Sequence, residues 1–161
     1  MHTLVLVDSE FGNTYRLAEA IAGELGSAGP VDVINVRAPA SESQLPTDLD
    51  MVVVGGPTQI HGVSRPLTEY LEALLSQIFA HLACASFDTR VRGWPLLTGA
   101  ASGGISKRLK NMGAHTVMPP ESFLVAGKEG PLLDGELERA RAWAKHLLAA
   151  MGPRPAPVMV G

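Results

Sequence analysis

The chain is poor in several features that would classify it at once. It has one cysteine, Cys84, so no internal disulfide can form, and a reduced, cytoplasmic setting is expected. Lysine and arginine number 13 against 16 aspartates and glutamates, and the net charge of −3 leaves no basic stripe for nucleic acid. No apolar run is long enough to span a bilayer, and Met1 and His2 lead straight into strand-like residues rather than a basic and then apolar leader. No internal repeat or low-complexity block is present, and His115 and His146 show no metal-ligand spacing. Apolar residues, by contrast, are plentiful. They make up 46% of 161 positions, enough for one full core in a chain too short for two ordinary domains. One domain is expected over residues 1–150, followed by a flexible, Pro-rich tail at 151–161.

Short β-rich runs alternate with longer helical patterns, the signature of repeated βαβ units on a parallel sheet. Five strands are expected, near residues 3–8, 31–36, 50–55, 82–88 and 115–125. All but the second are almost continuously apolar, as strands covered on both faces should be. Pro119 and Pro120 are positioned to break the last one. Leu17, Ile21 and Leu25 mark the buried face of a first helix; Leu67, Leu71, Leu74, Leu75 and Ile78 mark a second, capped by Ser64. A third carries Ile105, Leu109 and Met112 and stops at Gly113. A fourth begins near Asp134, carries Leu137, Ala144, Leu147 and Leu148, and ends before Gly152 and Pro153. The charged positions of this last helix, Glu136, Glu138, Arg139, Arg141 and Lys145, read as solvated surface. The fold class is α/β: a three-layer sandwich with a five-stranded parallel sheet of order 2-1-3-4-5 and helices on both faces. Such sheets bind ligands where the order reverses, outside the carboxyl ends of strands 1 and 3.

Three loops fall at that end. The first is Ser9, Glu10, Phe11, Gly12, Asn13 and Thr14, a tight turn between an apolar strand and an amphipathic helix. It reads as a phosphate cradle, in which backbone N–H groups and the positive end of a helix dipole converge on one anion. It contains no lysine or arginine, so the donors are neutral, which suits a tightly held phosphomonoester. It lacks the Gly-Lys-Ser/Thr of a nucleotide-triphosphate loop and the Cys and Arg of a phosphatase loop, and phosphoryl transfer is not expected. A phospho-accepting receiver is excluded as well, because Gly55, Gly56 and Pro57 stand where its acceptor aspartate would be. The plain alternative is a tight strand-to-helix connection with Ser9 as the cap.

The second loop, Pro57, Thr58, Gln59, Ile60, His61 and Gly62, allows close backbone approach to a flat ligand and brings donors and acceptors; a simple turn is the bland reading. The third follows strand 4 with Asp88, Thr89, Arg90, Arg92, Gly93 and Trp94. Trp94 either stacks on a planar ring or covers an apolar edge, and the residues alone leave both open. Cys84 and Trp143 read as packing residues. The polar stretch of residues 37–47 has no readable role.

With Ser-x-x-Gly-Asn-Thr after strand 1, Val-Val-Val-Gly-Gly-Pro-Thr at strand 3 and Phe-Asp-Thr-Arg at strand 4, residues 1 to about 150 resemble the flavodoxin family. The resemblance implies an FMN cofactor. Its phosphate would be held by Ser9, Glu10, Phe11, Gly12, Asn13 and Thr14, and its ring flanked by Pro57, Thr58, Gln59, Ile60, His61 and Gly62 on one side and Asp88, Thr89, Arg90, Gly93 and Trp94 on the other. Two departures stand out: Phe11 replaces the family's usual threonine, and the strand 3 loop offers Ile60 and His61 where an aromatic usually lies.

The resemblance implies a flavin-binding redox protein that passes electrons to a protein partner, with no catalytic side chain required. The alternatives are an FMN-dependent reductase of quinones that takes NAD(P)H over the open ring face, and a binding or regulatory module that has lost flavin. Typical family carriers are strongly acidic around the flavin. Here Arg90, Arg92 and a protonated His61 oppose that, and one nearby positive charge stabilises a reduced anionic flavin by about 1 to 4 kcal/mol. A higher reduction potential than that of the acidic carriers is expected.

Overall fold

The computed structural model describes residues 1–38, 45–59, 62–74, 76–92 and 100–153. Ile60, His61, Leu75, Gly93, Trp94 and most of the C-terminal tail lie outside them.

The strands are β1 (Thr3–Val7), β2 (Val31–Asn35), β3 (Met51–Pro57), β4 (Ala83–Val91), β5 (His115–Thr116) and β6 (Glu121–Val125). The helices are α1 (Asn13–Leu25), α2 (Arg65–Ala73), α3 (Ser76–Phe79), α4 (Ala101–Asn111) and α5 (Glu136–Met151). All strand pairings are parallel, in the order β2-β1-β3-β4, with β5 and β6 both on the far side of β4. The expected order 2-1-3-4-5 is therefore present, but the fifth position is shared by two short strands. β5 pairs with Ala83 and Cys84, and β6 with residues 87–91. Pro119 and Pro120 lie in the break, and neither has an N–H to give to the ladder.

The period of two along the strands divides the core. Val5 and Val7 face one way with Val53, Ala85 and Phe87, packed under Leu17, Ile21 and Leu25 of α1 and Ala140, Trp143, Ala144 and Leu147 of α5. Leu4 and Leu6 face the other way with Val52, Val54 and Cys84, under Leu67 and Leu71 of α2 and Ile105 and Leu109 of α4. Each such fully buried aliphatic side chain contributes roughly 1.5–3 kcal/mol. Phe87, Phe123 and Trp143 form an edge-to-face cluster with ring centroids 5.9 to 6.1 Å apart. The Phe87 ring lies directly on the backbone of Gly55, where a Cβ would sit 2.2 Å from a ring carbon. A glycine there lets the end of β3 pass under the cluster.

Three expectations are corrected. The second helix does not run to Ile78: α2 ends at Ala73, Leu74 turns extended (φ −79°, ψ 138°), and a separate short α3 carries the buried Phe79. Ser64 occupies the cap position of α2, but its hydroxyl does not cap the helix and is bonded elsewhere. The first turn of α5 is not simply solvated surface. Glu136 is buried; its Oε2 accepts from Leu124 N–H at 2.7 Å, and it is paired with Arg139. Arg139 in turn donates to Ser122 O, pairs with Glu121 at 3.1 Å and lies 4.5 Å over the Phe123 ring. These contacts fasten α5 to β6.

Burial alone would push Glu136 up, but the hydrogen bonds from Arg139 and from Leu124 N–H outweigh it and hold the carboxyl below its ordinary value. A carboxylate depressed in the folded state adds stability above its unfolded pKa and loses it as pH falls through the folded value. Glu136→Gln is therefore expected to lower the midpoint of urea unfolding at pH 7. The gap to the wild type should narrow as pH drops below the ordinary glutamate range, and an equal gap at pH 7 and pH 3 would contradict the assignment.

Candidate functional site

β1 delivers its last residues to the carboxyl edge of the sheet, where Asp8 is completely buried. An isolated carboxylate there would be strongly disfavoured. Arg37, just past the end of β2, gives its Nε–H to Asp8 Oδ1, and Ser64 gives its hydroxyl to Asp8 Oδ2. The bond to Asp8 is foremost in raising the Arg37 pKa above its usual value. The same guanidinium comes within 3.8 Å of Glu10. The loop thus has no cation within it, as its sequence shows, but it rests on one supplied from outside.

The chain then turns sharply. Ser9 N–H donates to Asn35 Oδ1 at 3.1 Å, and Asn35 Nδ2 donates back to Ser9 O at 3.0 Å. Gly12 adopts φ +90° at the entry to α1, a left-handed conformation that side chains disfavour. Ser9 Oγ accepts from Tyr15 N–H in the first turn of the helix at 3.1 Å. Ser9 thus caps α1 from outside, while Gly12 holds the formal cap position. Among the described residues, none of the amides of Glu10, Phe11, Gly12, Asn13 and Thr14 donates to another protein group. Five successive N–H groups at the positive end of a 13-residue helix are thus left for a ligand.

Above this cradle lies a crevice of about 470 Å³, within the range of small-molecule sites. Ser9, Glu10, Phe11, Asn13 and Thr14 form its floor, and Pro57, Thr58 and Gln59 one wall. Thr89 and Arg90 line it from β4. The two large apolar side chains that are exposed among the described residues, Phe11 (45%) and Val91 (49%), both border it. Thr14 Oγ1 and Thr89 Oγ1 meet at 3.1 Å where floor and wall join. Gly62 lies outside the lining, closing its loop through Gln59 with mutual backbone bonds of 2.9 and 3.1 Å.

Two predicted contacts have other tasks. Asp88 does not reach the crevice: it is fully buried within β4, and its Oδ2 accepts from Ser102 N–H at 2.8 Å, capping α4. Thr58 Oγ1 accepts from Ala101 N–H at 3.1 Å, one residue earlier in the same helix. The N-terminus of α4 is thus satisfied by β4 and by the residue just past β3 rather than by its own cap residue, Ala100. Asp88, Thr89 and Arg90 belong to the strand, which runs three residues beyond its expected end. Ile60, His61, Gly93 and Trp94 fall outside the described residues.

Sequence reasoning missed Asn35, Arg37, Val91, Val125 and Lys128. Val91 was hidden because β4 was expected to stop at Asp88. Val125 and Lys128 line the crevice from the end of β6 and the turn after it, a place that the carboxyl-edge rule for such sheets points to. Asn13 Nδ2 donates to Glu129 O at 3.0 Å, holding that turn against the cradle. None of the ion pairs among the described residues involves Arg90 or Lys128, whereas Glu10 is within reach of Arg37. The lining therefore carries two cations, Arg90 from β4 and Lys128 from the turn beside the cradle.

A parallel sheet with this strand order and a crevice at its reversal point defines an α/β protein of the flavodoxin-like class. The family model described as Flavodoxin matches residues 5–143, and the chain belongs to the flavodoxin family. Among solved structures it is similar to a flavodoxin from the domain Archaea, at 20% identity and a TM-score of 0.74, covering 92% of this chain and 97% of that one. Oxidised flavodoxin 1 from Bacillus cereus gives 18% identity and a TM-score of 0.75 over 92% and 98% of the two chains. A flavodoxin, WrbA-like protein from Agrobacterium tumefaciens gives 20% and 0.66 over 93% and 97%. No curated protein sequence matches. Among the described residues, no helix is long and apolar enough to cross a membrane.

The donor set fits the phosphomonoester end of a flavin nucleotide: open amides, a helix dipole, hydroxyls and a glycine in the left-handed region. Its integrity depends on Asp8 being neutralised. Arg37→Met is expected to lower stability by about 2–4 kcal/mol, because it leaves a buried carboxylate without its cation. Adding Asp8→Asn should recover part of that loss. Urea unfolding of the two single variants and the double variant measures the coupling, and additive losses would show that the pair does not matter.

Proposed function

We propose that this protein binds FMN and works as an electron carrier of the flavodoxin type. The observation carrying this reading is the cradle itself, with five successive amides that have no protein partner among the described residues at the N-terminus of α1, opening onto a crevice bordered by Phe11 and Val91. The phosphate would lie against Glu10, Phe11, Gly12, Asn13 and Thr14, with Ser9 shaping the turn. Pro57, Thr58, Gln59, Thr89 and Arg90 would border the ring, and Ile60, His61, Gly62, Gly93 and Trp94 are proposed around it from the resemblance. When bound, the flavin supplies the redox chemistry; the chain fixes its phosphate, limits access of water and sets the local charge. Cys84, buried and with its thiol pushed up by burial, suits the reducing interior of a cell, and a cytoplasmic setting is part of the proposal.

Family membership supports flavin over other mononucleotides. A second reading, an FMN-dependent NAD(P)H:quinone reductase, is favoured by one observation: Arg90 and Lys128 offer two cations at the same crevice for an anionic second substrate. Steady turnover with NADPH and a quinone would select it, and its absence selects the carrier. A flavodoxin-like module that has lost flavin is the outcome if the protein stays colourless.

Titration with FMN followed by flavin fluorescence is expected to show saturable quenching, with FMN bound at least tenfold more tightly than riboflavin, as one or more charge-assisted hydrogen bonds to phosphate would give. No quenching, or equal affinity for the two, refutes the phosphate reading. In the loaded protein, Arg90→Gln is expected to lower the flavin potential measured against a reference dye, because a positive charge beside the ring favours its reduced anionic form. An unchanged potential would remove Arg90 from that role.

A further inference from the structure

Asn35 is the last residue of β2, paired in register with Val7. The first loop continues past that point, and the Asn35 side chain takes over where the strand ends. Its Oδ1 accepts from Ser9 N–H at 3.1 Å and its Nδ2 donates to Ser9 O at 3.0 Å, a reciprocal bond like that of one strand residue to the next strand. The same Oδ1 also accepts from Arg37 N–H at 3.3 Å, which fixes the amide's orientation. Asn35 is partly buried, and neither of its polar atoms is left to solvent alone.

This arrangement decides which way one peptide faces. Ser9 C=O and Glu10 N–H belong to the same planar trans unit, in which the two groups point in opposite directions. With the carbonyl turned toward β2 by Asn35, Glu10 N–H is directed away from β2, toward the side on which β3 lies and Pro57 lines the crevice. Were that peptide to flip, the cradle would lose one donor and present a carbonyl oxygen to the anion in its place. The other ties of this turn, Ser9 Oγ to Tyr15 N–H and Glu10 to Arg37, run through side chains and leave this peptide itself unheld; Phe11 is 45% exposed, and nothing lies within 4 Å of where a Cβ on Gly12 would sit.

We propose that Asn35 is the positioning residue of the anion cradle: by clasping both polar groups of Ser9 it keeps Glu10 N–H, rather than Ser9 C=O, facing the bound phosphate. The inference rests on the FMN reading above and adds to it a determinant of phosphate recognition that lies on a different strand and never touches the ligand. A residue that merely tied β2 to the loop would affect every ligand of the crevice alike. One that orients the peptide affects the phosphorylated ligand selectively.

The test compares wild type, Asn35→Leu and Asn35→Asp. Leucine is similar in size and makes neither bond; aspartate keeps the acceptor for Ser9 N–H and loses the donor to Ser9 O. Dissociation constants for FMN and riboflavin are read by flavin fluorescence at high salt, where the Debye length falls to about 3 Å and the charge of the aspartate variant is largely screened. Both variants should bind FMN about 10- to 100-fold more weakly while riboflavin affinity changes less than about twofold. In the flavin-free protein, hydrogen exchange at the Ser9 amide should be faster in Asn35→Leu than in wild type, with Tyr15, bonded to Ser9 Oγ, the internal reference. Should Asn35→Leu fail to fold, the near-isosteric aspartate variant gives the same comparison. FMN and riboflavin affinities that fall together, or FMN affinity that does not fall, overturn the proposal. A wild type that binds FMN no better than riboflavin overturns the phosphate reading first, and this proposal with it; a wild type that prefers FMN, with variants that keep the preference, overturns the role of Asn35 alone.

Discussion

A carboxylate without access to water lies where the first strand ends, and much of the surrounding architecture answers to it. Asp8 can remain buried as an anion only if a cation and a donor reach it, and the sequence near it supplies neither. Arg37 comes from beyond β2 and Ser64 from the start of α2, so three segments far apart in the chain meet under one loop. Ser64 gives up the usual service of a cap residue, and the entry to α2 relies instead on Pro66 in its first turn and on the bond from Thr68 N–H to Ser64 O at 3.0 Å. The floor of the cradle is thereby close to neutral, which is what a site for an anion needs when a carboxylate lies beneath it.

The same economy governs the opposite wall. Asp88 and Thr58 hold the first amides of α4, so the two strand ends that flank the crevice are locked to a helix on the far side of the sheet. The crevice is accordingly built from strand termini on one side and a helix N-terminus on the other, with Val125 of the last strand and Lys128 of the turn after it also in the lining. Its lining joins open amides, two cations and an apolar rim. That combination suits a ligand with an anionic tail and a flat, weakly polar body.

The layers and strand order were legible in the sequence because they depend on short-range patterns: unbroken apolar runs at strands 1, 3 and 4, and helical spacing at Leu17, Ile21 and Leu25 or Ile105 and Leu109. The turn that floors the crevice was legible for the same reason, since a glycine between strand and helix is a local signal. What was hidden depends on partners distant in the chain. Asn35 and Arg37 act on residues 26 and 29 positions away, and nothing in a polar stretch after a strand announces that. Asp88 looked like the start of a loop because a charged residue interrupts an apolar run, yet its charge serves a helix amide and the strand continues. Glu136 and Arg139 looked like ordinary helix surface for the matching reason: their pairing at i and i+3 is common on exposed faces, and only β6 beside them makes it a half-buried fastening.

The interruption between β5 and β6 has a consequence for how copies of this molecule behave toward one another. An open margin of a parallel sheet offers unsatisfied backbone groups that a second chain can zip onto, and long regular margins invite such association. Here two adjoining prolines divide that margin into runs of two and five residues, and the longer run is already occupied by its own chain: Leu124 N–H donates to Glu136, Leu124 O accepts from Leu133 N–H, and Ala126 N–H donates to Pro131 O. This margin of the sheet thus offers a second copy of the chain little backbone to pair with.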